Sequence, residues 1–265
     1  MSTRNGLLQK LVLDHAVLVV LLFSASVLTL TLNLNFLAAT LAFFGLPSAY
    51  LIWRRPRNFE KALVGGALLG LLLGFSFDFV AEFNGAWAWA SDTDLFFPFK
   101  LFGVVDVDIL IWYFLWVFLV ICYYEYVVEH HATRRISKHA RPVAYIGVAL
   151  AAWVVFLKYV YPDLLILPFA YAKLGTITFV LCALVLLRHA SLAHKTLLVI
   201  PYFATLYFVF EMTALEANLW SFPGDYLGHV VVGVHSFPIE ELIIWIFASS
   251  AIVAAYYEFS VDDER

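Results

Sequence analysis

The chain has 265 residues, of which 63% are hydrophobic and 14% charged, and its formal net charge is −4. Soluble domains are nearer half apolar and a quarter charged, and nucleic-acid binders carry a basic footprint. The composition excludes a soluble globular enzyme, a disordered chain and a nucleic-acid-binding domain, and leaves an integral membrane protein.

A transmembrane helix needs about 20 apolar residues. Eight segments of that order follow one another, over residues 11–32, 36–53, 62–83, 107–127, 143–160, 164–187, 197–217 and 239–259. Alternation of apolar and polar residues is absent, which argues against a β-barrel. Helices satisfy their own backbone hydrogen bonds, as lipid demands. The leading MSTRNGLLQK is expected to run into the first span rather than to act as a cleaved signal peptide. Most of the 16 Lys and Arg fall on one side of this scheme: Arg4 and Lys10, Arg54 to Lys61, Arg134 to Arg141, Arg188 and Lys195, and Arg265. The positive-inside rule then places both termini in the cytoplasm of a multi-pass cell-membrane protein. Cys122 and Cys182 lie in apolar runs without metal or disulfide spacing.

Sliding the chain against itself by 133 residues superposes Asp78 on Glu211, Trp87 on Trp220, Asp108 on Glu241, Trp112 on Trp245, and Tyr123-Tyr124-Glu125 on Tyr256-Tyr257-Glu258. The expected fold is therefore all-α, about eight transmembrane helices arranged as two parallel four-helix repeats, residues 1–133 and 134–265. Even-numbered repeats face the same way across the membrane. The seam is the basic, His-rich stretch 129–141, with His130, His131 and His139 on that basic surface.

Acids in a membrane span are functional-site hypotheses by default. Asp78, Glu82, Glu211 and Glu216 lie near the outer ends of spans three and seven, while Asp106, Asp108, Glu240 and Glu241 open spans four and eight. The loops 84–106 and 218–238 join these same ends. Pro238-Ile239-Glu240-Glu241 is the sharpest local motif. Proline suits a first helical turn, acids there complement the helix dipole, and an ordinary acidic helix start explains that much. Glu241 shares a face with Trp245, as Asp108 does with Trp112, and the repetition favours a site. Glu240 and Glu241 point about 100° apart and are expected to do different jobs. Lys173, deep in span six, is expected to face Asp78 or Glu211; Lys158 is expected to snorkel. Glu125 and Glu258 read as interfacial anchors beside paired tyrosines, His229 and His235 as solvated loop residues, and Asp14 is unassigned. No nucleotide, nucleophile-elbow or metal motif is present, so an enzyme here would work by acid–base catalysis without a cofactor, with tryptophan faces able to stabilise a cation.

On Pro238-Ile239-Glu240-Glu241, on Phe77-Asp78 followed by Gly85-Ala86-Trp87, and on the Tyr-Glu endings of spans four and eight, the chain resembles the membrane-integral lycopene cyclase domain family. The resemblance covers residues 60–130 and 195–260. It implies an isomerase acting on a lycopene-like carotenoid: a carboxylic acid protonates a terminal double bond, the carbocation closes a ring and a base removes a proton, with no net redox. Carried onto this chain, the catalytic candidates are Glu240, Glu241, Glu211, Asp78 and Asp108, and the substrate-binding candidates are Trp245, Trp112, Trp87 and Trp220. Repeat one departs from the motif, reading Val105-Asp106-Val107-Asp108 without the proline. A small proton-coupled transporter and a non-catalytic carotenoid- or lipid-binding protein are the alternatives. The bilayer is the expected partner, and self-association stays open.

Overall fold

A computed structural model describes residues 2–90, 95–129 and 135–262. His130, His131, Arg134 and Arg265 lie outside the described residues. The helices are α1 (Ser2–Leu32), α2 (Phe36–Arg54), α3 (Pro56–Phe83), α4 (Val107–Glu129), α5 (Ala140–Val160), α6 (Ala170–Arg188), α7 (Ala190–Leu197), α8 (Ile200–Glu216) and α9 (Glu241–Ser260). Among the described residues seven helices are long and apolar enough to cross a membrane, and an eighth span results if α7 and α8, which meet at 48°, count as one. The protein is thus an all-α integral membrane protein.

Local chemistry sets the helix ends. Asn33, with a positive φ of 48°, stops α1, and the Asn35 side chain accepts from the Ala38 N–H to start α2. Pro201 in the first turn of α8 accounts for the break after α7. The sixth helix begins later than the apolar run suggests. Pro162–Leu165 forms a 3₁₀ turn, Phe169 takes φ 55°, and regular helix starts at Ala170. Wide π-type turns occupy Leu41–Gly45, Gly66–Leu73, Tyr124–Glu129 and Glu241–Ala248. Such turns are frequent at functional sites.

Gly66, Gly70 and Gly74 form a stripe along α3 against α4. A Cβ on Gly70 would stand 2.7 Å from the Tyr113 carbonyl oxygen. Small residues let helix backbones approach closely in lipid. Gly70→Ala should therefore cost about 1–3 kcal/mol through overpacking, read as a lowered unfolding midpoint in detergent. An unchanged midpoint would show that α3 and α4 separate freely.

The loops 84–106 and 218–238 form one end of the bundle, the Trp-loop end. There β1 (Ala88–Trp89) pairs antiparallel with β4 (Trp220–Ser221), β2 (Lys100–Leu101) pairs with β3 (Val105–Asp106), and β5 (His229–Val232) forms a hairpin with β6 (His235–Pro238). Asn84 fastens the α5–α6 connection to α3: its amide donates to the Leu165 carbonyl at 2.8 Å and its oxygen accepts from Leu167 N–H at 2.7 Å.

Residues 133 apart meet at three levels along the bundle. Ala88 pairs with Ser221 at the Trp-loop end. The Trp112 and Trp245 rings lie 4.7 Å apart in the middle. At the opposite, basic end Tyr124 donates to Glu258 at 2.5 Å, and Tyr257 donates reciprocally to Glu125. Such reciprocity is what a twofold relation along the bundle produces.

The Tyr-Glu endings are not interfacial anchors. Glu125, Glu258, Tyr124 and Tyr257 are buried in a network with Lys61, which bonds Asp262 at 2.7 Å and Glu125 at 3.3 Å. Lys195 pairs with Glu129 in the same region. Asp14 is also satisfied at this end. It takes an ion pair from Arg54 at 2.9 Å and hydroxyl bonds from Tyr50 at 2.5 Å and from Tyr126.

Candidate functional site

A cavity of about 850 Å³ opens beneath the Trp loops and runs down the bundle. Asp78 on α3, Glu211 on α8 and Glu241 on α9 all line it, so three of the five acids singled out from sequence converge on one space. Each is buried. The Tyr171 hydroxyl of α6 donates to Glu241 at 2.5 Å. Trp220 donates its indole N–H to Glu211 at 3.1 Å, leaving Oε2 of Glu211 without a partner. Tyr113 approaches Asp78 Oδ1 at 3.5 Å, and Asp78 Oδ2 is likewise unpartnered. Tyr113 lines the cavity together with Asp78 and Glu241.

Lys173 does not join them. It is exposed on α6, and among the described residues no Lys or Arg pairs with Asp78, Glu211 or Glu241. The helix turn that carries Lys173 puts Tyr171, not the ammonium, into the cavity. Lys158 donates to the Phe102 carbonyl, and so fastens the end of α5 to a Trp-end loop.

Glu240 and Asp108 take a different place from Glu241. Neither lines the cavity. Glu240 accepts from the Leu227 N–H at 2.7 Å, and Asp108 accepts from the N–H groups of Phe96 at 2.7 Å and Phe97 at 3.2 Å. Both hold a Trp-end loop over its helix start. Although Asp108 stands opposite Glu241 in the 133-residue shift, its hydrogen bonds are of the Glu240 kind. Repeat one thus offers Asp78 to the cavity but no counterpart of Glu241. Asp106 and Glu82, at the same end, are bound instead by Lys100, at 2.6 Å and 3.1 Å. Burial pulls the Lys100 ammonium pKa down, but these two acids outweigh it and hold it above the ordinary lysine value. In repeat two, Glu216 instead meets His235 at 2.8 Å.

All four tryptophans singled out from sequence line the cavity. Trp245 packs face to face on Tyr207 at 4.2 Å and against Trp116 at 4.8 Å, and Trp116 donates to the Tyr207 hydroxyl at 2.6 Å. The Trp112 indole N–H is buried without a partner. Phe36, 4.6 Å from Trp89 and 5.9 Å from Trp220, completes the roof. Tyr113, Tyr171, Tyr207, Trp116, Trp89 and Phe36 belong to the site but carry no local sequence signature; only the i,i+4 spacing of Trp112 and Trp116 hinted at a shared face.

The arrangement can pass protons between carboxyl groups and an apolar guest, and its aromatic faces can stabilise a positive charge on that guest. Among the described residues no group of three His, Cys, Asp or Glu is placed to hold a metal ion. Compared with models of known protein families, with curated proteins and with solved structures, the chain matches none.

Proposed function

We propose that the protein is a lycopene cyclase-like isomerase that closes the end group of a carotene in the cell membrane, with both termini cytoplasmic. The observation that carries this reading is the meeting of three acids, unpaired with any cation among the described residues, on one aromatic-walled apolar cavity. Glu241 donates a proton to the terminal double bond, held in place by Tyr171. The resulting carbocation is attacked by the neighbouring double bond and closes a six-membered ring. Trp112 and Trp245 face this charge. A second carboxylate, Asp78 or Glu211, removes a proton from the ring carbon and so regenerates an alkene. One proton enters and one leaves, so the product is an isomer of the substrate. Glu240 and Asp108 act by holding the loops that roof the site.

A transporter would be favoured by Lys173 facing the acids and by a free Asp14 near the opposite end; Lys173 is exposed, and Asp14 is bound by Arg54, Tyr50 and Tyr126. Expression in cells that accumulate lycopene tests the proposal. Chromatography of the pigments should show a cyclic carotene. Unchanged lycopene beside well-expressed, membrane-inserted protein would rule out this activity on that substrate.

A further inference from the structure

The cavity is not closed on all sides. Helix α5 packs along α3, and α6 packs along α9 and the Trp-loop end of α3. Between α5 and α6 a cleft remains. Its walls are helical stripes, Ile146 and Leu150 on one side and Ile177 and Leu181 on the other, each about half exposed while lining the cavity. Lining residues on α6 run from Tyr171 to Arg188, which at about 1.5 Å per residue is about 26 Å, close to the hydrocarbon thickness of about 30 Å.

Repeat one lacks this cleft. Helix α1 packs on α2 as well as on α8. Phe44, which the 133-residue shift places on Ile177, is fully buried, 5.0 Å from Phe210 and 6.2 Å from Trp112. Leu51 of α2 is buried where Leu184 of α6 is exposed. The half without a Glu241 equivalent is therefore also the half whose gap is filled by its own aromatics.

We infer that the protein has one reaction centre, loaded sideways from the bilayer through the gap between α5 and α6, and that it takes one end of a polyene per binding event. The inference rests on the cyclase reading for the identity of the guest, but not for the portal. A polyene lying in the lipid presents its end to Glu241 by sliding between the two apolar stripes, without crossing water. A second end group is reached only after the first has left and the molecule has turned round.

The test uses the full chain in liposomes with Leu150→Cys and Ile177→Cys, joined by a reducible bis-maleimide. Native Cys122 and Cys182 are buried, so the reagent falls on the introduced pair. Bridged protein should lose lycopene uptake, and reduction of the bridge should restore it. Uptake undiminished by the bridge would overturn the portal. If unbridged protein takes up no lycopene, the cyclase reading falls. The portal is then read with a photoactivatable alkyl diazirine in the bilayer, whose adducts on Thr178 and Tyr256 should disappear on bridging; adducts that persist would overturn it. With active protein and excess lycopene, a free one-ring carotene should precede any two-ring product. Two-ring product formed with no free one-ring carotene would overturn the single centre.

Discussion

Replacing Glu241 by glutamine is expected to lower kcat for ring closure by about 10²–10⁴-fold, the usual worth of a positioned general acid. Glutamine has nearly the shape of glutamate, and its side-chain oxygen still accepts the hydrogen bond that Tyr171 donates. Packing around the site is retained while the transferable proton is lost, so the unfolding midpoint should move little. Glu240→Gln provides the contrast. Its oxygen continues to accept from the Leu227 N–H, and Glu240 does not line the cavity, so most of kcat should survive. Asp108→Asn should behave like Glu240→Gln, since it too only accepts from backbone N–H groups. Turnover of lycopene by the purified variants, beside thermal unfolding, decides the matter. A Glu241→Gln protein with near-normal turnover would take the acid away from Glu241, and a Glu240→Gln protein as inactive as it would return the two glutamates to a joint role.

The helices were legible because lipid permits so few solutions. Apolar runs of span length can only be helices, and residues such as Asn33, Pro56 and Pro201 mark where they stop or bend. The 133-residue shift superposes residues that also touch in space. Trp112 and Trp245, or Tyr124 and Tyr257, meet their own counterparts, and a residue facing its copy leaves an identity in both halves. Side-chain direction was not legible. Glu240 and Glu241 are neighbours in the chain, and only the wide turn over Glu241–Ala248 and the seating of the 218–238 loop decide which of them reaches the cavity. Lys173 was misplaced for the same reason: in an apolar helix the lipid face and the protein face have one composition, so sequence does not show which way a lone charge turns. That shared composition also hides the α5–α6 gap, since Ile177 would look the same buried as exposed. Tyr113 and Tyr171 were invisible because a tyrosine that bonds an acid from another helix has no partner near it in sequence.

Lys61→Met is expected to be the most destabilising single change at the basic end, costing about 3–5 kcal/mol, the range for removing one partner of a buried ion pair. Lys61 is 1% exposed, and so are the Glu125 and Asp262 side chains it bonds. Methionine fills the same volume but leaves two carboxylates facing each other out of reach of water, with the Tyr257 hydroxyl still on Glu125. The loss would also loosen connections between distant segments. Lys61 begins α3, Glu125 ends α4, and Asp262 follows α9 and forms a bridge with Ile136 across the seam of the chain. Lys195→Met is the control: its side chain is 43% exposed, so solvent screens its pair with Glu129 and its loss should cost well under half as much. Combining Lys61→Met with Glu125→Gln should recover part of the stability, because it removes one of the stranded charges together with the cation. Detergent unfolding of the three variants measures this directly. A Lys61→Met midpoint equal to that of Lys195→Met would mean that water reaches the cluster, and that Glu125 and Glu258 are ordinary interfacial acids after all.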